Sequence, residues 1–221
     1  MTIISFHYKY IFIANPKTGS TSIHDLLSKK YTKPGDIIAK KSIHEKPIGK
    51  HDTYEKIKQY LTEKNQNIDD FYIFSFIREP FKRLISSFNY ELNCGYYKLK
   101  VQNPLVDFTE NFLNPNIRKH FSPNIFKEYF YCNNTLPSNL YIYKIEEVIK
   151  FSQDIKEKCA ISISKEQIPH IHQSKKIINP TVPDLIKLLS KEKLNELYHL
   201  YEDDFKEYYT FDEEKKEIHT I

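Results

Sequence analysis

The chain has 221 residues, a length that fits one globular domain, because compact domains usually hold about 100–200 residues. It is 40% hydrophobic and 14% aromatic, and no segment approaches the roughly 18 consecutive apolar residues of a membrane helix. The net charge of +4 is far below the basic density of a nucleic-acid-binding surface. These values exclude global disorder and membrane spanning, whereas the charge alone decides no function. The first residues lack the features of a secretory signal, so we expect a cytoplasmic protein.

The first predicted unit is a strand, a loop and a helix. Residues 10–14 form a short apolar run that stops at Asn15, as a buried strand does before a turn. After Gly19, the hydroxyl residues 20–22 are typical helix N-caps, and apolar residues at helical spacing follow them.

A middle helix and a second strand–helix unit follow. Asp52, with a glutamate three residues later, predicts the N-cap of the middle helix. Residues 71–77 read as a buried strand, and Pro80 suits the first position of the next helix. That helix carries an apolar stripe at helical spacing over residues 81–92.

The remainder of the chain completes an α/β pattern. Residues 98–139 contain several prolines and predict a mainly helical insertion within a single domain of residues 1–221. Residues 140–143 predict a further strand with a helix after it, and residues 194–208 predict one long amphipathic helix. Strands alternating with helices indicate a three-layer α/β fold, with a central, mainly parallel sheet flanked by helices.

The cysteines indicate neither a metal site nor a set of disulfides. Cys94, Cys132 and Cys159 are odd in number and include no CxxC pair, so neither a zinc site nor a complete disulfide framework follows. We expect reduced, mostly buried thiols.

The loop between the first strand and its helix has the composition of an anion site. A helix N-terminus presents unpaired N–H groups and the positive end of the helix dipole. Gly19 allows close approach of the backbone, Lys17 adds a positive charge, and the hydroxyls of residues 20–22 offer further donors. The lysine precedes the glycine, unlike the order in GxxxxGK[ST], which disfavours ATP or GTP hydrolysis of that type. Taken alone, the loop is equally consistent with a Ser/Thr-capped helix that has an incidental lysine.

The second unit offers a second anion site. Arg78 stands at the carboxyl end of its strand, and Ser86 lies two turns into the next helix, off the apolar stripe. Ligands of open parallel sheets bind beyond the carboxyl ends of the strands, where both units point. Each residue by itself is also consistent with an ordinary surface position.

These residues resemble the sulfotransferases that use 3′-phosphoadenosine 5′-phosphosulfate (PAPS), in particular the carbohydrate branch that includes heparan sulfate 2-O-sulfotransferase. The stretch from Pro16 through Lys17, Thr18, Gly19, Ser20 and Thr21 to Ser22 is similar to the family's 5′-phosphosulfate loop. Arg78 and Ser86, with the text around them, match its 3′-phosphate element. The resemblance extends more weakly over most of the chain.

The resemblance implies roles for two catalytic residues and needs no metal. Lys17 would stabilise charge on the leaving phosphate, and His51, just before the middle helix, would take the acceptor proton. His44, His120, His170 and His172 are competing histidines.

A polar loop that the resemblance places near the donor contains Ser174 and Lys175, which would contact its phosphates as part of a lid. A solvated basic loop fits the lysines equally well. Position alone assigns acceptor binding to the insertion, with Arg118, Lys119 and His120.

The sequence therefore predicts a sulfotransferase acting on a hydroxyl, of a carbohydrate or glycoconjugate, with PAPS as the small-molecule donor. It predicts no nucleic-acid partner and leaves the oligomeric state open. Two alternatives remain: a P-loop-like nucleotide-dependent kinase, and a non-catalytic module that binds a nucleotide or another anion.

Overall fold

The computed structural model describes most of the chain. The described residues are 2–39, 48–114, 125–168, 175–212 and 217–220.

The chain divides into two compact units. The first comprises Met1–Arg78 and Ile125–His172, and the second comprises Glu79–Asn124 and Gln173–Ile221. Each unit contains its own cluster of buried apolar side chains. The single-domain organisation stays a prediction.

A five-stranded mixed sheet forms the centre of the first unit. Its strands, in chain order, are β1 (Ile3–Ser5), β2 (Tyr10–Ile13), β3 (Ile37–Ile38), β4 (Tyr72–Ile77) and β5 (Leu140–Lys144). Their spatial order is β3-β1-β2-β4-β5. β2, β4 and β5 are parallel, whereas β1 is antiparallel to both β2 and β3.

The expectation of a mainly parallel sheet is therefore confirmed only for β2, β4 and β5. The reason is the short connection of residues 6–9 between β1 and β2. A parallel pair needs a crossover of a dozen or more residues, so this connection permits only an antiparallel hairpin.

The helices alternate with the strands. In chain order they are α1 (Ser20–Lys30), α2 (Tyr54–Glu63), α3 (Pro80–Asn93), α4 (Pro104–Asp107), α5 (Val148–Cys159), α6 (Val182–Leu188), α7 (Lys191–Leu200) and α8 (Glu202–Lys206). Two further strands, β6 (Tyr209–Asp212) and β7 (Glu217–Thr220), pair antiparallel in the second unit. The two strand–loop–helix segments at residues 10–30 and 71–93 are confirmed.

Aromatic packing fixes the parallel strands in the first unit. Phe12 stacks on Phe74 with ring centroids 5.5 Å apart. Phe151 of α5 lies 4.9 Å from the rings of both Phe74 and Phe76. Buried aromatic pairs of this kind stabilise by about 0.5–1.5 kcal/mol beyond their burial. This packing joins β2 to β4 and both strands to α5, next to the edge at which the strands end.

The N-cap predicted for α2 is wrong by one residue. Thr53 is the cap: its backbone is extended and its hydroxyl accepts a hydrogen bond from the Lys56 N–H at 3.3 Å. The Asp52 carboxylate instead accepts from the backbone N–H of Gly49 at 2.5 Å. Asp52 therefore orders the turn that precedes the helix.

The second unit is built around α3. Phe88 of this helix contacts Phe108 and Phe112, which belong to a π-helical turn that continues α4. The described parts of the predicted insertion are helical at residues 104–112, in the second unit, and at residues 126–130, in the first.

The prediction of one long C-terminal helix is wrong. α7 ends at Leu200, and Tyr201 leaves the helical conformation with φ −124° and ψ 30° before α8 begins. α8 carries the buried Asp204, whose carboxylate accepts from the Arg83 guanidinium of α3 at 2.6 Å. The apolar spacing hid this break, because Tyr201 and Phe205 remain buried on both sides of it.

Neither a membrane helix nor a disulfide occurs within the described part of the chain. Its helices are too short or too polar to cross a bilayer. All three cysteines are free thiols. The expectation that they are mostly buried is wrong, because Cys94 is exposed and only Cys159 is buried.

Candidate active site

Three parallel strands end together at one edge of the sheet. Ile13 of β2 pairs with Ser75 of β4, and Ile77 of β4 pairs with Lys144 of β5. The N–H of Ile145, just after β5, donates to the Ile77 carbonyl at 2.9 Å. The loop after β2, Arg78 after β4 and Ile145 after β5 therefore lie at the same edge.

The loop after β2 has a left-handed backbone at two positions. Lys17 has φ 62° and Gly19 has φ 74°. A Cβ atom on Gly19 would lie 2.9 Å from the end of the Ile145 side chain, so a larger residue would displace that side chain and would also be strained at this φ. Gly19 is also the N-cap of α1, and its carbonyl accepts from the Ser22 N–H at 3.0 Å. The loop thus delivers its backbone to the positive end of a helix, as anion-binding loops do.

The hydroxyls of this loop fall into two groups. Thr18 and Ser20 are buried, and both donate to the backbone carbonyl of Asn15, at 3.2 Å and 2.5 Å. Their hydroxyl protons are used inside the loop, so an anion would meet their backbone N–H groups. Thr21 and Ser22 are half-buried on the first turn of α1.

His51 lies against the end of β2. Its Nδ1 is 2.6 Å from the backbone carbonyl of Ala14, which can only accept a hydrogen bond. The neutral imidazole therefore carries its proton on Nδ1 and its basic lone pair on Nε2. The half-buried ring is thus held at Ala14, which stands three residues before Lys17 along the chain.

Two anion-binding candidates come from the second strand–helix segment. Arg78, half-buried, is the last residue of the first unit, and Ser86, half-buried on α3, belongs to the second. α3 begins with a Glu79 cap, whose carboxylate accepts from the N–H groups of Phe81 at 2.9 Å and Lys82 at 2.7 Å. Glu79 therefore occupies the N–H groups of that helix end, which leaves the N-terminus of α1 as the better place for an anion.

The groups at the sheet edge suit phosphate and sulfate. Lys17 and Arg78 are cationic, the N-terminus of α1 presents N–H donors, and the left-handed turn at Gly19 brings the loop backbone to that helix end. Among the described residues, no group of three or more histidine, cysteine, aspartate or glutamate side chains could hold a metal ion.

Comparison with known proteins identifies the family. The model of a family described as "Sulfotransferase family" matches residues 1–212. The chain belongs to the sulfotransferase family. No curated protein and no solved structure matches it. Membership supports a transferase with sulfotransfer activity, in a family that generally uses PAPS as donor.

Within the second unit of the sulfotransferase, the segment that begins at Lys175 is anchored along α3, and the sequence did not predict this anchor. The buried Asn89 accepts from the N–H groups of Ile177 and Ile178 at 2.9 and 3.0 Å, and donates to the Ile178 carbonyl at 2.9 Å. Asn93 donates to the Lys175 carbonyl at 2.9 Å. Ser86, Asn89 and Asn93 follow one another at helical spacing, so exposed Lys175 lies beside the face of α3 that carries Ser86.

Several candidate residues fall outside the described residues. They are His44, Arg118, Lys119, His120, His170, His172 and Ser174. Of the histidines considered for catalysis in this sulfotransferase, His51 is the one that the structure describes.

Proposed function

We propose that this sulfotransferase transfers a sulfuryl group from PAPS to an acceptor hydroxyl of a carbohydrate or glycoconjugate. The observation that carries the proposal is the hydrogen bond from His51 Nδ1 to the Ala14 carbonyl. It ties an imidazole, with its basic atom defined, to the strand end from which the anion-binding loop emerges. A base and an anion site on the same strand end suit transfer of a charged group to a hydroxyl.

Lys17 and the loop around it act on the donor. PAPS, when bound, supplies the sulfuryl group and a phosphate that leaves as an anion. Lys17 and the N–H groups at the start of α1 would hold that phosphate and stabilise its negative charge, with Thr21 and Ser22 donating to its oxygens. Thr18, Gly19 and Ser20 would contribute backbone N–H groups.

His51 acts on the acceptor. Its Nε2 would take the proton from the acceptor hydroxyl as the oxygen forms its bond to sulfur. The Ala14 carbonyl keeps the other nitrogen protonated, which fixes the tautomer and the plane of the ring. That carbonyl would also stabilise the positive charge that the ring gains with the proton.

The remaining donor contacts rest on the sequence resemblance. Arg78 and Ser86 are assigned to the 3′-phosphate, and Ser174 and Lys175 to the loop over the donor. The half-buried position of Arg78 at the carboxyl end of β4 supports its assignment, and the anchoring of Lys175 beside α3 supports that of Lys175. The carbohydrate acceptor follows from the likeness of the two motifs to the carbohydrate branch.

The decisive experiment supplies a labelled sulfuryl donor. The protein is incubated with PAPS and a panel of glycans, lipids, phenols and peptides, and the label in each acceptor is measured. We expect a glycan to gain sulfate, with no requirement for a divalent metal. Phosphate transfer from ATP with Mg²⁺ would instead support the kinase alternative, and binding of PAPS without turnover on any acceptor would support the non-catalytic one.

A further inference from the structure

Asn15, directly before the loop, has a role that the sequence did not suggest. Its side chain is fully buried at the end of β2. Its amide nitrogen donates to the Ser75 hydroxyl at 2.7 Å and to the Phe76 carbonyl at 3.0 Å, both on β4. The Ser75 hydroxyl in turn donates to the Ile13 carbonyl at 2.6 Å. Because the Phe76 carbonyl can only accept, the amide nitrogen and not the oxygen must face β4.

The backbone of the same residue organises the loop. The Asn15 carbonyl accepts the hydroxyls of Thr18 and Ser20, which folds the loop back over its own first residue. One residue therefore holds the loop from inside through its carbonyl and fixes it to β4 through its amide. Arg78 follows β4 two residues after Phe76, so both candidate phosphate contacts of the first unit depend on this junction.

The junction contains two locally unfavourable features. The Asn15 side-chain oxygen is buried and has no hydrogen-bond partner among the described residues, and an unsatisfied buried acceptor is destabilising. Lys17 adopts a left-handed conformation that residues other than glycine rarely take. Such strain persists where the surroundings determine the geometry, and it concentrates at functional sites.

We propose that Asn15 is a positioning residue for sulfuryl transfer, which sets the loop around Lys17 relative to Arg78 through its amide N–H donors. This inference rests on the proposed function. The proposed role requires that the side chain at position 15 donates hydrogen bonds. A purely space-filling role would require only a side chain of the same volume.

The first test compares alanine variants by the affinity for 3′-phosphoadenosine 5′-phosphate (PAP) and by turnover of PAPS. Asn15→Ala should weaken PAP binding about 10-fold and lower kcat by more than that, because Lys17 loses its position relative to the reacting group. Ser75→Ala removes one acceptor of the amide and leaves the other, so it should show a smaller loss of the same kind.

A matched control lies at the opposite end of the same sheet. Ser5 is also fully buried, and its hydroxyl donates to the Asp36 carboxylate at 2.7 Å. Ser5→Ala should lower the melting temperature without changing PAP affinity or kcat. An equal effect of Ser5→Ala and Asn15→Ala on kcat would overturn the inference, because stability alone would then explain it.

The second test restores a hydrogen-bond donor at position 15 by lowering the pH. Asn15→Asp keeps the volume, but its carboxylate cannot donate to the Phe76 carbonyl, whereas the protonated carboxyl can. Binding of PAP is measured from about pH 8 to about pH 5.5, and each value is divided by that of the wild type, which removes the titration of PAP itself. The relative affinity should rise about 10-fold as the pH falls, the size expected when one buried hydrogen bond is restored.

The outcomes separate the two proposals. If the wild type binds no PAP, the proposed function fails. If the wild type binds PAP, and Asn15→Ala and Ser75→Ala bind it equally well, only the role of Asn15 fails. A relative affinity of Asn15→Asp that does not change with pH would likewise overturn the role. This test remains decisive if Asn15→Ala does not fold.

Discussion

At the scale of single residues, a few backbone carbonyls define the chemistry at the sheet edge. The Ala14 carbonyl sets the protonated nitrogen of His51, and the Asn15 carbonyl takes the hydroxyl protons of Thr18 and Ser20. The Lys17 side chain and the His51 imidazole therefore belong to the same strand end through different backbone positions. Mutation of one residue should therefore leave the contribution of the other intact.

Lys17 should act mainly on the chemical step. Lys17→Ala should lower kcat by roughly 10²–10³-fold and change PAP affinity less, because charge on the leaving oxygen develops as the transition state forms. Steady-state rates and calorimetric titration with PAP measure the two effects. Lys58→Ala, at an exposed lysine of α2, is the control and should behave as the wild type. An unchanged kcat in Lys17→Ala would contradict the role.

His51 should determine the acidic limb of the pH–rate profile. His51→Ala should lose roughly 10²–10⁴-fold in rate while it still binds PAP and unfolds cooperatively. The wild type should lose activity at acidic pH, because an imidazolium cannot accept a proton, and this limb should be absent from the residual activity of the variant.

The control for this variant is His7→Ala, at an exposed histidine in the turn between β1 and β2. It should keep both the rate and the acidic limb. A near-normal rate for His51→Ala would mean that the catalytic histidine lies elsewhere, and the donor assignment would survive.

Arg78 should determine the preference for a nucleotide that has a 3′-phosphate. PAP should raise the melting temperature of the wild type well above the value with AMP, because a ligand bound only by the native state stabilises it in proportion to its affinity. Arg78→Ala should weaken PAP binding by about 1.5–3 kcal/mol and should leave the weak response to AMP unchanged. Equal responses of the wild type to PAP and AMP would remove the role assigned to Arg78.

At the scale of elements, the sequence predicted the strands and helices that have a regular apolar pattern. It missed the features that depend on individual polar side chains. The strands that lead to Asn15 and Arg78, and the helices after them, follow from apolar runs. β1 and β3 are too short for such a signal, and the break at Tyr201 is hidden because the apolar spacing continues across it. The Asn89 and Asn93 anchors depend on contacts with residues distant in sequence, which no local pattern encodes.

The Asn89 anchor should control the segment at residues 175–178. Asn89→Ala removes three hydrogen bonds, two of them to a buried backbone, and should lower the free energy of unfolding by about 2–4 kcal/mol. Trypsin should also cleave the native variant faster after the exposed Lys175 and Lys176. Asn93→Ala, which loses the bond to the Lys175 carbonyl but not those to residues 177–178, should show a smaller change. Unchanged cleavage in Asn89→Ala would contradict the anchor.

At the scale of the whole molecule, each unit has its own aromatic core, and both cores contain tyrosine. Burial is the main cause that raises the pKa of these phenols above the ordinary value, and the tyrosines concerned are Tyr10, Tyr72 and Tyr143 in the first unit and Tyr97, Tyr201 and Tyr209 in the second. Acceptor contacts add to the effect, since Tyr97 donates to Asp107 and Tyr209 donates to Glu79. The folded chain therefore keeps protons that the unfolded chain releases.

This difference predicts how the protein unfolds in alkali. An unfolded tyrosine loses its proton near pH ~10, whereas these buried ones retain it, so their contribution to the free energy of unfolding should be constant below that pH and should fall as the pH rises above it. Tyrosinate absorbance should increase gradually for exposed tyrosines and abruptly for buried ones, at the pH at which circular dichroism reports loss of structure.

Tyr143→Phe and Tyr209→Phe each remove one buried phenol, and the two phenols belong to different units. If the units unfold together, both variants should shift the same abrupt step, and if they unfold separately, each should alter its own step. Smooth titration of all 17 tyrosines with the fold intact would contradict the burial of both cores.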